Sequence, residues 1–291
     1  MQEIPVLERE YTIGEFFVMF LLLSPIIFGY CYFMLYVVEI IYQRNFKKPL
    51  IVFGHIFHKS LSETDKLLLN ANSQFYQKLK PKYKKYFEHR VATFIEKTQF
   101  STRDISIDRE MKLSIAAVYI QLTFGMKNYL NQLIQQIIIY PEIYLSTHTN
   151  DYYKGEFNPS LKTIVFSWAD FKAGIDIKND NLNLGLHEFT HALHFATLKS
   201  DKPTHVLFNE TLNNLFLSFS NESLRKDLLN SGFLRAYAFE NKYEFVAVLL
   251  EHFFESPEEL KQKFPSVYIK VKEMLNYNEA VFISHENLNV F

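Results

Sequence analysis

Hydrophobic positions fall into three regimes along the chain. From Phe16 to Val38 they run for 23 residues without a charge. At about 1.5 Å of rise per residue, a helix of that length crosses a hydrocarbon layer of about 30 Å. Tyr30, Tyr32, Tyr36 and Tyr42 gather toward its second end, where interfacial aromatics belong. A secretory signal peptide is a poorer reading, because the preceding flank carries Glu3, Glu8, Glu10 and Glu15 against Arg9 alone. A buried core helix is the other alternative to an anchor. Arg44, Lys47, Lys48 and Lys59 follow the run, with no acid between Arg44 and Ser60. Positive flanks stay in the cytoplasm. The expected organisation is an acidic segment 1–15, a transmembrane anchor 16–43, a basic juxtamembrane connector 44–60 and one domain 61–291. The protein is expected in the inner membrane, single-pass, with this domain on the cytoplasmic side.

In the second regime apolar residues recur at helical spacing. Ser62 followed by Asp65 reads as a capped helix start. Pro81 interrupts the pattern before a helix reaching about Lys97. Asp108 opens another, with Met111, Ile115, Ala116, Tyr119 and Leu122 on one face. The period then changes. Gln136–Tyr140 and Thr163–Trp168 are short β-branched and aromatic runs that read as strands. Thr163–Trp168 is expected to be an exposed edge that pairs with an extended substrate backbone. In the third regime helices resume near Asn181 and continue, broken around Pro203, Ser231–Gly232 and Pro257. Helices, a small sheet, then helices again give an α+β class.

Charge is balanced, 31 Lys+Arg against 32 Asp+Glu, so no global field points to nucleic acid. The Lys78, Lys80, Lys82, Lys84, Lys85 cluster, interleaved with Tyr83 and Tyr86, reads as a solvated helix face near an anionic inner leaflet. The single cysteine, Cys31, excludes an intrachain disulfide and a zinc–cysteine cluster. A zinc site must therefore use histidine and carboxylate.

Such a site is offered by His187-Glu188-Phe189-Thr190-His191. In a helix His187 and His191 share one face, one turn apart, and two imidazoles can meet one ion. Glu188 is placed to act as general base on a water. The bland alternative is a surface helix with solvated His and Glu. Downstream, Glu244 and Glu251 lie seven apart in an otherwise apolar stretch, and a buried carboxylate is costly unless paired or bound to metal. Asn241 and Glu244 also suit a simple helix cap. His194 and His252 read equally well as packed or as supporting residues; His55 and His58 read as surface residues.

Taken together, these blocks resemble the zinc peptidases typified by Mlc titration factor A, which are similar to the catalytic domain of anthrax lethal factor. The residues carrying the resemblance are Ser167-Trp168, Gly174, Asn183 and Leu186-His187-Glu188-Phe189-x-His191. A second block adds Tyr237-Ala238, Asn241, Glu244-Phe245, Glu251, Phe253-Phe254 and Pro257. The resemblance implies a zincin-like domain in which His187, His191 and Glu244 bind Zn²⁺, Glu188 is the catalytic base and Tyr237 hydrogen-bonds the oxyanion. Departures are His194, Lys242 and Val246, where the family commonly has an acid, a proline and a phenylalanine. The implied activity is a membrane-anchored zinc metallopeptidase acting on peptides or proteins. A second class stays open: a membrane-tethered binding protein that sequesters a regulatory partner such as a transcriptional repressor.

Overall fold

The computed structural model describes residues 12–54, 58–146, 151–198, 200–219 and 221–283. The acidic stretch before Thr12 and His55 lie outside them. Helix α1 (Ile13–Phe46) opens on a Thr12–Glu15 capping box and is long and apolar enough to cross a membrane. Its large apolar side chains are exposed from Ile13 to Ile41. Only near its end does it meet the rest of the chain. Glu39 pairs with Lys127 at 2.5 Å, and Gln43 donates to the Pro203 carbonyl.

Four helices and a strand follow: α2 (Glu63–Asn72), α3 (Gln74–Lys78), α4 (Pro81–Lys97), β1 (Gln99–Thr102) and α5 (Arg109–Thr123). Their starts obey the local signals. Ser62 and Asp108 accept from the N–H groups of Asp65 and Met111, and Pro81 stands at the first turn of α4. The sheet region comprises β2 (Gln136–Tyr140), β3 (Tyr144–Leu145), β4 (Tyr152–Tyr153), β5 (Gly155–Asn158) and β6 (Thr163–Ser167). Then come α6 (Trp168–Asp176), α7 (Leu184–Thr197), α8 (Pro203–Ser218), α9 (Glu222–Asn230), α10 (Lys242–Glu255), α11 (Pro257–Lys263) and α12 (Pro265–Leu275). The result is the mixed α+β fold with a small sheet that the sequence pattern predicts.

The main sheet has the order β1-β2-β6-β5, with β1, β2 and β6 parallel and β5 antiparallel to β6. Its inner face is apolar: Ile137, Ile139, Ile164 and Phe166 are fully buried and join the helical core. The outer face, including Ile138, Tyr140 and Val165, is half-buried.

Two strand expectations are corrected. Thr163–Ser167 is an interior strand, not an edge, because β5 pairs with it from Gly155↔Phe166 to Asn158↔Thr163. The free edge beside the helices is β5. Trp168 leaves the sheet and starts α6, because the Ser167 hydroxyl accepts the Asp170 N–H and caps that helix.

Arg90 is fully buried in α4 and faces no carboxylate among the described residues. Its guanidinium donates to the carbonyls of Phe124 at 2.9 Å and Val52 at 3.0 Å, and lies over the Tyr129 and Phe53 rings. Burial lowers its pKa to about 10, which leaves it a cation at neutral pH. Phe53 in turn packs on Tyr83 and Tyr86. The end of the connector is thereby part of the core.

Candidate metal centre

The site is built where α7 crosses α10. Asn183 sets the register between them. Its side chain caps α7 by accepting the Leu186 N–H at 2.9 Å and donates to the Gly174 carbonyl at 2.8 Å. Its backbone N–H donates to Glu251 of α10 at 2.8 Å. Gly185 allows close approach to α6, since a Cβ there would stand 2.5 Å from the Phe171 ring.

One turn of α7 places His187 and His191 on the face toward α10, with their Nε2 atoms 3.1 Å apart. Asn241 caps the start of α10 through the N–H groups of Tyr243 and Glu244. This cap fixes Glu244 in the first turn. Its Oε2 lies 3.0 Å from His187 Nε2 and its Oε1 lies 3.5 Å from His191 Nε2. One ligand atom from each of His187, His191 and Glu244 falls within 4.8 Å of the others.

The donor set fits a divalent cation on two observations. Glu244 Oε2 is buried and lacks a well-directed hydrogen bond although it faces an imidazole nitrogen. His187 Nδ1 is taken by Glu251 Oε1 at 2.8 Å. A proton on Nδ1 leaves the Nε2 lone pair directed into the cluster, the tautomer a metal ligand needs. Two imidazoles and a carboxylate suit zinc.

The electrostatics follow from the same contacts. Burial opposes charging His187, but the carboxylates of Glu244 and Glu251 outweigh it and push its pKa up to about 9. Burial likewise opposes ionising Glu244, yet the two imidazoles hold it well below the usual carboxylate range. Glu188 is buried, and that burial raises its pKa, with the histidines opposing. Tyr237 sits at the open side, 42% exposed, its ring centroid 5.9 Å from that of His187. Burial of its hydroxyl and the neighbouring Glu244 push it up to about 12. The structure thus brings together all five residues singled out from the sequence.

Beyond them, Glu251 is 1% exposed and accepts four hydrogen bonds, two of them from Arg235 at 2.7 and 3.1 Å. Arg235 was not foreseen. It lies outside any periodic segment, and its partner is 16 residues away. His194 and His252 do not join the ligand cluster. They are buried against the rings of Tyr243 and Phe233, and burial lowers each to about 4. Gly155 of β5 abuts the site: a Cβ there would meet Glu188 Cγ at 2.9 Å.

Helix α7, which carries the HExxH sequence, thus faces the glutamate-bearing α10. Sequence comparison gives the family. The profile of the glucose-regulated metallo-peptidase M90 family matches residues 52–276, and the chain belongs to that family. An uncharacterized protein of Synechocystis sp. is 23% identical over 231 residues, which span 73% of this chain and 83% of that protein.

Proposed function

We propose that this protein is a membrane-anchored zinc metallopeptidase with a zincin-like domain. The observation that carries the reading is the convergence of His187, His191 and Glu244 donor atoms beside the buried carboxyl of Glu188. His187, His191 and Glu244 would hold the ion. When bound, zinc supplies a Lewis acid for the scissile carbonyl and acidifies a water. Glu188 takes a proton from the attacking water and returns it to the leaving amine; its raised pKa makes it a better base near neutrality. The Tyr237 hydroxyl, protonated up to about pH 12, donates to the developing oxyanion. Glu251, held by Arg235 and the Asn183 N–H, keeps His187 in its tautomer.

The free edge of β5 runs beside Glu188 and offers main-chain partners to an extended peptide. Domain boundaries follow the same reading: α1 spans the membrane, 44–60 connects, and the peptidase domain follows. The basic residues after α1 favour a cytoplasmic domain at the inner membrane.

The test is the full chain in detergent with zinc, exposed to an unbiased peptide library read by mass spectrometry. Cleavage by wild type and none by Glu188→Gln, with zinc retained in both, is the expected result. No cleavage by either would replace this reading with that of a binding protein.

A further inference from the structure

The strongest unassigned feature is the surface around the second end of α1. Residue Val38 closes the uncharged run, and Glu39 and Gln43, the next polar positions, are already buried against the domain. Ile40, Ile41 and Tyr42 carry the apolar surface on past Glu39, and from Tyr42 to Phe46 the helix rises about 6 Å. The headgroup layer on one side of a bilayer is about 5–7 Å thick. A helix gripped so soon after its apolar run holds the domain against the headgroups.

The surface presented there has the matching chemistry. Phe46, Leu50 and Ile51 are exposed at 61%, 41% and 53%. They alternate with Arg44, Lys47 and Lys48, and residues 44–60 contain no acid. Apolar side chains set among lysines are the signature of a segment lying in an interface. Phe53, packed on Tyr83 and Tyr86 at 5.5 and 4.8 Å, fixes the start of α4 beside this connector. That start carries Lys80, Lys82 and Lys85, all exposed. Among the described residues Lys48, Lys82 and Lys85 enter no ion pair. Two stretches far apart in sequence, both carrying exposed cations, are thus joined through Phe53, Tyr83 and Tyr86.

We propose that this face, made by Phe46, Leu50 and Ile51 with Lys48, Lys82 and Lys85, is a docking surface for an anionic lipid leaflet. It rests on the reading of α1 as a membrane span. The apolar residues enter the headgroup layer and the lysines bind lipid phosphates, so the domain is held in one orientation instead of swinging on a tether. Its affinity for the surface rises with the anionic lipid content and falls with salt.

The experiment uses the full chain with Cys31→Ala and Leu50→Cys, labelled at residue 50 with an environment-sensitive fluorophore. It is reconstituted into nanodiscs of phosphatidylcholine alone or with phosphatidylglycerol, each doped with headgroup spin-labelled lipid. Quenching should be about threefold or more stronger in the anionic discs. It should fall to the neutral-disc level in high salt and in a Lys48→Gln/Lys82→Gln/Lys85→Gln variant. Equal quenching in both lipids, or a variant that behaves as the parent, overturns the proposal while leaving the anchor intact. Carbonate extraction is run alongside. Release of the chain from the bilayer overturns the span and this proposal together, without touching the metal site.

Discussion

Replacing Glu251 by glutamine tests how the site is held. Oε1 of Glu251 faces His187 Nδ1 at 2.8 Å and Arg235 Nη2 at 2.7 Å. Oε2 faces the Asn183 N–H at 2.8 Å and Arg235 Nη1 at 3.1 Å. All four partners act as donors when His187 carries its proton on Nδ1. Glutamine keeps one oxygen, so its amide must confront two donors whichever way it turns. Two charge-assisted bonds disappear, at about 1.5–3 kcal/mol each. Breaking a buried pair by removing one partner costs about 3–5 kcal/mol, which sets the same scale. If the amide faces His187, it donates to Nδ1 and drives the imidazole proton to Nε2, where the lone pair is needed. Metal affinity then falls about 10–100-fold, as for lost supporting contacts elsewhere. Urea unfolding of the metal-free chain in detergent reads the first effect, and competition for zinc against a chelator reads the second. A stability change below about 1 kcal/mol together with unchanged zinc affinity would refute the account.

Three further outcomes follow from contacts around the site. Gly155→Ala would place a methyl 2.9 Å from Glu188 Cγ and 2.8 Å from Leu184 Cδ1; displacing the base should lower kcat by up to about 10²-fold with zinc binding intact, read by steady-state kinetics beside a metal assay. His252 is 4% exposed and lowered to about 4 by burial. Between about pH 6.5 and 4 the unfolded chain therefore binds a proton that the folded chain refuses, and stability falls as pH drops, by on the order of 3 kcal/mol; His194 titrates in the same window, so His252→Leu should about halve the slope of that part of a melting-temperature profile. Glu255 is pushed up to about 7, first by burial and then by Asp180 and Glu251, against an Asn183 hydrogen bond. The folded chain keeps this proton between about pH 4.5 and 7, so stability falls as pH rises through that window. Glu255→Gln should melt higher than wild type at pH 8 and alongside it at pH 5, and equal melting at pH 8 would count against a buried, strained carboxyl.

Much of the fold was legible because its signals are local. Ser62, Pro81 and Asp108 each announce a helix start through a cap or a fixed φ, and each stands where expected. The proximity of His187 to His191 follows from helix geometry alone. Glu244 was visible as an acid at the head of an apolar stretch, although only the packing of α10 on α7 brings it near the histidines. The edge of the sheet was illegible. Gly155-Glu156-Phe157-Asn158 has a single typical strand residue, and it forms β5 because β6 offers a row of unpaired backbone groups. Gln99–Thr102 holds two strand-forming residues, Phe100 and Thr102, but is too short and too close behind α4 to show an alternation of its own. Trp168 misled because aromatic residues continue strands as readily as they start helices, and the deciding contact is the Ser167–Asp170 cap. Arg235 carried no pattern at all; its role exists only once Glu251 is buried beside it.

The guanidinium of Arg90 has a consequence for where this chain can be cut. It is a cation sealed in the core, and one of its acceptors is the Val52 carbonyl, upstream of the first helix of the domain. A truncation beginning at Leu61 removes that acceptor and the Phe53 ring over the charge, leaving the guanidinium only the Thr123 and Phe124 carbonyls and opening it to water. One beginning at Lys48 keeps both. The buried charge therefore ties the connector to the fold: a protease that clips after Gly54 should release a less stable domain than one that clips before Pro49.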